Sequence, residues 1–155
     1  MTKISDKVTR TQGTDLTANF TLEELYASST AKAKGIDNTP TKQAIVNLTH
    51  LAVHVLQPLR SRLKEPITIS SGYRCPALNR AVGGVSNSQH MTGEAADINI
   101  GGDMAKGKRI FDYIKRNLHF DQLIWEHNKQ GVYWVHVSYC KDGNRGKVIE
   151  NLLKN

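Results

Sequence analysis

The sequence predicts an α+β domain in which helices pack on a mostly antiparallel sheet. Apolar residues recur at helical spacing in two segments, 40–64 and 104–117. Apolar and polar residues alternate, as in half-buried strands, in four segments: 67–70, 96–100, 121–127 and 132–139. A chain of 155 residues is long enough to bury one hydrophobic core.

The first helix signal is a capping box. Thr21 is followed three residues later by Glu24, so each side chain can bond the backbone N–H of the other residue. This pattern predicts a short helix over 22–28. Residues 29–39 are then predicted to form a connection, with turn chemistry at Gly35.

Two longer helices follow. Pro40 suits the first position of a helix that runs to about Lys64, and Pro58 is expected to kink it because proline removes a helical hydrogen bond. Asp103 is a good cap for the second helix, over 104–117.

Two of the predicted strands form a hairpin. Segments 121–127 and 132–139 are joined by 128–131. Residues 148–153 add a final strand or close the fold. In the strand near Ile98, period-two alternation places Asp97 and Asn99 on one face.

Composition limits the class of protein. No apolar run approaches the roughly 20 residues of a membrane span, and the first 15 residues lack the apolar region of a secretory signal peptide. The net charge of +7 favours a polyanionic partner, but no nucleic-acid recognition motif is present.

The two cysteines are expected to be free. We predict a flexible or loosely docked leader over 1–19 and a single domain over 20–155.

A histidine and an aspartate lie seven residues apart, His90 and Asp97, with Gly93 between them. Gly93 can turn the loop back towards the strand that carries Asp97, so both side chains can reach one point. Imidazole and carboxylate are zinc ligands, and a catalytic zinc site takes three protein ligands. Spacing alone favours the alternative, a loop histidine that is hydrogen-bonded to an aspartate.

The residues around His90 and Asp97 favour the metal-binding interpretation over the hydrogen-bonded loop histidine. Ser88, His90, Gly93, Ala95 and Asp97 fill every fixed position of Ser-x-His-x-x-Gly-x-Ala-x-Asp. This resembles the first metal motif of the zinc D-Ala-D-Ala carboxypeptidases and related peptidoglycan peptidases. Trp134-Val135-His136 is similar to the later motif that supplies their second histidine. The resemblance covers about 20–139 and implies a hedgehog/DD-peptidase fold, with one zinc ion bound by His90, Asp97 and His136.

The chain departs from the family pattern at the general base, because many relatives carry Glu or Asp three residues before the last histidine, where this chain has Tyr133. Glu126, on the preceding strand, is the predicted base. This assignment requires Glu126 to pair with an even-numbered residue such as Trp134, so that it shares a face with His136. The alternative is a surface glutamate.

Four further residues complete the predicted site. Ser-Gly-Tyr-Arg resembles the family segment whose arginine binds the substrate carboxylate or steadies the oxyanion, which implies that role for Arg74. Ser88 is expected to support the metal loop, and Tyr73 and Gln89 to line the cleft.

His50 and His54 are four residues apart on a predicted helix but lack the glutamate of a helical zinc-protease motif, so we expect neither to bind metal.

The resemblance implies a zinc-dependent peptidase, either carboxypeptidase or endopeptidase, that cuts D-Ala-D-Ala or L-Ala-D-Glu bonds of peptidoglycan. We expect a monomer made in the cytoplasm that acts on the cell wall, as in lysis by a phage or prophage endolysin. The alternatives are an inactive metal-binding module that binds the cell wall, motivated by Tyr133, and a hedgehog-type signalling domain.

Overall fold

The computed structural model describes residues 13–154, which form a five-stranded sheet and five α-helices. The strands are β1 Thr68–Ser71, β2 Ala95–Asn99, β3 Gln122–Asn128, β4 Tyr133–Ser138 and β5 Lys147–Lys154. The helices are α1 Ser29–Lys34, α2 Lys42–Leu51, α3 Gln57–Leu63, α4 Pro76–Ala81 and α5 Met104–Asn117. The predicted α+β class is therefore confirmed at this level, and the hedgehog/DD-peptidase fold stays a prediction.

The strand order is β1-β2-β4-β3-β5, and the sheet is mixed. The first three pairings are antiparallel, whereas β5 runs parallel to β3. The reason is the path of 139–146, which returns the chain to the start of β3: Gly146 N–H donates to the Phe120 carbonyl at 2.9 Å, and Lys147 N–H to the Asp121 carbonyl at 2.9 Å. The prediction of a mostly antiparallel sheet thus misses this one parallel edge.

One face of the sheet holds the hydrophobic core. Ala96 and Ile98 of β2 and Val135 and Val137 of β4 are fully buried there. Leucines of α2 and α3, together with Ile110 and Ile114 of α5, pack against them. The predicted alternation of β2 is confirmed, because Asp97 and Asn99 point to the opposite face, which carries the polar residues of the site.

The helix starts differ from prediction. The capping box is present, with Thr21 N–H donating to Glu24 at 2.9 Å and Glu24 N–H to Thr21 Oγ1 at 3.2 Å. It starts only a 3₁₀ turn, Glu23–Leu25, so the predicted helix over 22–28 is wrong. The predicted connection instead contains α1, because Ser28 is extended and its hydroxyl caps a new helix by accepting from Ala31 N–H. Gly35 ends α1 in the left-handed conformation, which keeps its predicted turn role.

The long helix begins at Lys42, two residues later than predicted, because the Thr41 hydroxyl caps it by accepting from Ala44 N–H. Pro58 is accommodated by a π-helical segment, Ala52–Leu56, between α2 and α3. There Gln57 N–H donates to the Ala52 carbonyl, five residues back. The widened turn provides the room that a proline ring needs in mid-helix, so the predicted kink takes the form of a π-bulge.

The predicted leader falls mostly outside the described residues. Its described part, 13–19, contacts α3: Thr17 Oγ1 donates to Gln57 Oε1 at 2.7 Å, and Asn19 N–H to the same oxygen at 2.9 Å. Within residues 13–154, no helix has the length and apolar character required to cross a bilayer.

Candidate metal centre

Three side chains from separate parts of the chain converge on one point. His90 Nε2 lies 3.4 Å from Asp97 Oδ1, and His136 Nδ1 lies 3.0 Å from the same oxygen. One donor atom from each residue lies within 4.8 Å of the other two. Among residues 13–154, this is the one group of three or more His, Cys, Asp or Glu side chains with that geometry.

The sheet register positions two of these residues. Asp97 of β2 and His136 of β4 are directly paired across the antiparallel ladder, so their side chains emerge side by side on one face. His90 comes from a 3₁₀ turn, Gln89–Thr92, that lies over this face. Its side chain is 2% exposed, which fixes its position as firmly as that of the strand residues.

Gly93 ends that turn with φ of +79°, in the left-handed region. A Cβ at this position would lie 2.5 Å from the Ala44 carbonyl oxygen of α2. The predicted role of Gly93 is therefore confirmed, and α2 is the element against which the metal loop folds back.

The tautomer of His90 suits a metal ligand. Its Nδ1 lies 2.7 Å from the Gly72 carbonyl oxygen, which can only accept, so Nδ1 carries the proton. Nε2 is then the ring nitrogen left to bind a metal ion. A ligating histidine commonly has its second nitrogen held in this way.

The charge on Asp97 is secured by its neighbours. Burial alone would raise the pKa of this carboxyl, but the charges and hydrogen bonds of His90 and His136 outweigh it and hold the pKa well below the usual range. An ionised carboxylate with two imidazoles is a donor set that a divalent zinc-like cation takes. The residues therefore fit a metal ion with three protein ligands.

Glu126 lies beside these residues. It pairs with Trp134 in the β3–β4 ladder, which is the register that the prediction requires. Its Oε1 accepts from Trp134 Nε1–H at 2.9 Å and lies 3.7 Å from His136 Nδ1. At 3% exposure it is no surface glutamate, so that alternative is wrong.

Arg74 borders the same cleft. Its backbone N–H donates to the His90 carbonyl at 2.9 Å, which ties it to the metal loop. Its side-chain Nε is buried and has no hydrogen-bond partner. Burial lowers the pKa of the guanidinium, while the nearby charges of Asp97 and Glu126 raise it. An arginine stays protonated in such surroundings, so its unpaired donor is available to a ligand.

Of the other three predicted site residues, two lie at the cleft and one does not. The Ser88 hydroxyl accepts from His90 N–H at 3.2 Å, as expected of a residue that supports the metal loop. Gln89 lines the cleft. Tyr73 does not: it is 4% exposed and packs in the core, where it borders only a smaller neighbouring cavity. Its backbone N–H donates to the Leu25 carbonyl at 2.7 Å, at the point where Gly72 lies close against Leu25.

No pattern in the sequence predicted the ion pair that supports the cleft, Asp121–Arg145. Arg145 Nε and Nη2 donate to Asp121 at 2.9 and 2.6 Å, and Gln89 Nε2 donates to Asp121 Oδ2 at 2.9 Å. The hydrogen bonds from Arg145 are the main reason that the pKa of Asp121 is lowered. Asp121 and Arg145 are 24 residues apart on irregular segments, so no periodicity could pair them.

The two histidines of the long helix form a stack with Tyr139, apart from the candidate metal centre. His50 and His54 have ring centroids 5.7 Å apart, and His54 stacks on Tyr139 at 4.8 Å. Neither belongs to the metal group described above, and the expectation that they bind no metal stays a prediction. Cys75 and Cys140 are both free, as predicted.

The family model of peptidase M15 matches residues 18–138. The chain belongs to the peptidase M15 family. This M15 chain is also similar to the zinc D-Ala-D-Ala carboxypeptidase of Streptomyces albus G, with 36% identity over 98 residues. That match covers 62% of the M15 chain and 37% of the relative, so the chain spans well under half of the relative's length.

Proposed function

We propose that this M15 peptidase is a zinc-dependent enzyme that hydrolyses peptide bonds of bacterial peptidoglycan. The observation that carries the proposal is the convergence of His90, Asp97 and His136 beside a buried carboxylate, Glu126. The similarity to a zinc D-Ala-D-Ala carboxypeptidase supports both the metal and the substrate class. The three donors share one centre, which favours one ion per chain.

Each residue has a role in hydrolysis. His90, Asp97 and His136 would hold the zinc ion, which supplies a Lewis acid that polarises a carbonyl and lowers the pKa of water to about 7. Glu126 takes a proton from the attacking water and delivers it to the nitrogen of the leaving amine. The Arg74 guanidinium donates to the carbonyl oxygen as negative charge develops there.

Trp134 and Ser88 keep these groups in position. The indole N–H of Trp134 holds Glu126 Oε1, the oxygen that lies 3.7 Å from His136 Nδ1, while Lys154 Nζ lies 3.7 Å from Glu126 Oε2. Ser88 fixes the backbone of His90. Such supporting contacts maintain the geometry that catalysis needs.

The substrate bond follows from the resemblance, which favours D-Ala-D-Ala or L-Ala-D-Glu. The charge of +7 favours association with the anionic polymers of the bacterial envelope. We therefore place the activity at the cell wall, in remodelling or in lysis of the phage or prophage type. One chain supplies every residue of the site, so we propose a monomer.

A second candidate is an inactive wall-binding module, suggested by Tyr133 at the position where many relatives carry the base. The position of Glu126 weakens it, because a buried carboxylate 3.7 Å from His136 can replace the missing base. Purified peptidoglycan is incubated with zinc-loaded protein and with chelator-treated protein, and the soluble products are analysed by mass spectrometry. Zinc-dependent peptide fragments support the enzyme, whereas binding to the wall without fragments supports the module.

A further inference from the structure

Positive charge is concentrated on two helices of the fold. Together α3 and α5 contain seven of the 21 lysines and arginines but only one of the 14 aspartates and glutamates, Asp112. Their net charge of +6 is nearly all of the +7 of the whole chain, and it is still +5 when the flanking Lys64, Glu65 and Asp103 are included. A surface that serves only solubility mixes both signs of charge, so this segregation favours a function in binding anions.

The two helices lie side by side, so their cations belong to one surface. Lys106 Nζ donates to the Pro66 carbonyl at 2.9 Å and lies 3.7 Å from Glu65 Oε1. Arg109 Nη2 lies 3.3 Å from the same oxygen of Glu65. These contacts place the first half of α5 beside the end of α3. Arg62 precedes Glu65 by only three residues and therefore belongs to the same junction.

The cations of α5 form two rows. Lys108 and Lys115 are seven residues apart, as are Arg109 and Arg116, and two turns of helix bring residues at this spacing onto one line along the surface. All four are exposed. We use the name basic helix face for the surface formed by six exposed cations: Arg62, Lys64, Lys108, Arg109, Lys115 and Arg116.

The basic helix face is on the side of the sheet away from the candidate metal centre. Ile110 and Ile114, on the buried side of α5, pack in the core with Val135 and Val137 of β4. Asp97 emerges on the opposite face of the sheet. A polyanion that binds α5 from the solvent side therefore leaves the cleft open to substrate.

Nearby carboxylates neutralise only part of this face. Among residues 13–154, three of its cations lie within 4 Å of a carboxylate oxygen: Lys108 with Asp112 at 3.4 Å, Arg109 with Glu65 at 3.3 Å and Lys115 with Glu150 at 3.8 Å. Exposed ion pairs of this kind contribute little to stability. A polymer that presents several phosphates can therefore exchange them for its own contacts.

We infer that the basic helix face binds an anionic phosphodiester polymer of the bacterial wall, an inference that rests on the proposed function for its location at the wall. Repeated phosphates complement cations spread along α5, which is about 21 Å long. Arginine suits this partner because its planar fork can bind phosphate through two parallel hydrogen bonds. Attachment through this face keeps the cleft close to its insoluble substrate and raises the effective substrate concentration.

A lipid surface is a poorer match than a polymer. A helix that binds a membrane presents a broad apolar face to the bilayer. On α3 and α5, both of which the structure describes in full, the one large apolar side chain that is exposed is Met104. The apolar side of α5 is instead used by the core.

Two variants of equal charge test the inference by their binding to purified poly(glycerol phosphate). K64Q/K108Q/K115Q is the face variant, and K32Q/K34Q/K42Q, at exposed positions of α1 and α2, is the control variant. At about 50 mM salt we expect Kd to rise at least about tenfold in the face variant and less than about threefold in the control variant. The dependence of log Kd on log salt concentration should become shallower by about 2 in the face variant, since each lost phosphate contact contributes about 0.7 to 0.9 in nucleic acids. Equal Kd values in the two variants would overturn the inference.

Vesicles of phosphatidylglycerol provide the comparison with a lipid surface. The parent protein should bind poly(glycerol phosphate) more tightly than vesicles at equal phosphate concentration. Tighter binding to the vesicles, lost in the face variant, would make a lipid surface the partner and would also overturn the inference.

Digestion separates the inference from the proposed function. The parent and both variants should cut a soluble stem peptide with kcat/KM values within about twofold of one another. On bacterial walls, the initial rate should fall at least about fivefold in the face variant alone. This deficit should vanish on walls stripped of phosphodiester polymers with hydrofluoric acid, and a deficit that persists there counts against the inference but not against the proposed function. If the parent cuts neither the soluble peptide nor the walls, the proposed function is contradicted, whereas the Kd values still decide the inference.

Discussion

Glu126 and Trp134 face each other across the β3–β4 ladder, and the indole N–H of Trp134 donates to the Glu126 carboxylate at 2.9 Å. This pair links a strand register to a chemical role. A shift of the hairpin by one residue would turn Glu126 to the core face and away from His136. The register therefore decides whether Glu126 can serve as the proposed base.

Replacing Glu126 by Gln is expected to lower kcat by about 10²- to 10⁴-fold, which is the usual contribution of a general base. Zinc content, measured by atomic emission, should stay near that of the parent protein, because Glu126 is not among the three converging donors. Glu150→Gln on the exposed part of β5 is the control, and its kcat should match the parent. Turnover of E126Q within about tenfold of the parent would remove Glu126 from the mechanism.

Trp134→Phe keeps an aromatic ring but removes the N–H that holds Glu126. A hydrogen bond to a charged group contributes about 1.5–3 kcal/mol, so we expect a fall in the free energy of unfolding of that order together with a lower kcat. Trp125→Phe is the matched control, because Trp125 packs on Phe111 at the other face of the sheet. In W125F, kcat per folded molecule should not change. Equal kcat in both variants would contradict a positioning role for Trp134.

Gly93→Ala tests the turn that carries His90. Gly93 and Gly131 have the same φ of +79°, so alanine costs similar backbone strain at both positions, about 1–3 kcal/mol. Only at Gly93 does the new Cβ meet a backbone oxygen, at 2.5 Å, whereas Gly131 has nothing within 4 Å. Urea unfolding should show a larger loss of stability for G93A than for G131A, and zinc titration should show weaker binding for G93A alone. Equal behaviour of the two variants would mean that the contact with Ala44 does not position the metal loop.

Zinc binding is expected to raise the midpoint of thermal unfolding, because a ligand that binds only the folded state stabilises it by about 2.7 kcal/mol at a concentration of 100 times Kd. His136→Ala should abolish most of this rise in the midpoint. Adding a chelator to H136A should then change its midpoint little. His54→Ala is the control, since His54 stacks on Tyr139 outside the metal group. A full zinc response in H136A, measured by differential scanning fluorimetry, would exclude His136 as a ligand.

The Asp121–Arg145 pair should make stability depend on acid pH. The hydrogen bonds from Arg145 lower the pKa of Asp121 in the folded protein below the value of about 3.9 that an unfolded chain has. This contribution is therefore complete above about pH 4 and is lost as the pH falls towards the lower folded value. Arg145→Ala should be less stable than the parent at pH 7, and the difference should shrink on acidification below pH 4. A difference that stays constant from pH 7 to pH 2, measured by urea unfolding, would contradict the coupling.

The parts of the site that the sequence predicted depend on local patterns. Alternation placed Asp97 on the polar face of β2, and one motif placed His90, Gly93 and Asp97 in a single turn-strand unit. The α1 helix was missed because it is only six residues long and its one start signal, Ser28, also occurs in turns. The parallel pairing of β5 and the Asp121–Arg145 pair were missed because both depend on how a long loop returns, which no local pattern encodes.

The contact between His90 Nδ1 and the Gly72 carbonyl has a consequence for mutational tolerance. A main-chain oxygen cannot be deleted by a side-chain substitution, so this anchor of the ring is immune to most single amino-acid changes. The contact is instead lost if the backbone moves at Gly72. There a Cβ would lie 2.0 Å from the Leu25 carbonyl oxygen, and Tyr73 N–H donates to that oxygen at 2.7 Å. Substitutions near Leu25, remote in sequence from the polar residues of the centre, are therefore expected to move the ring of His90.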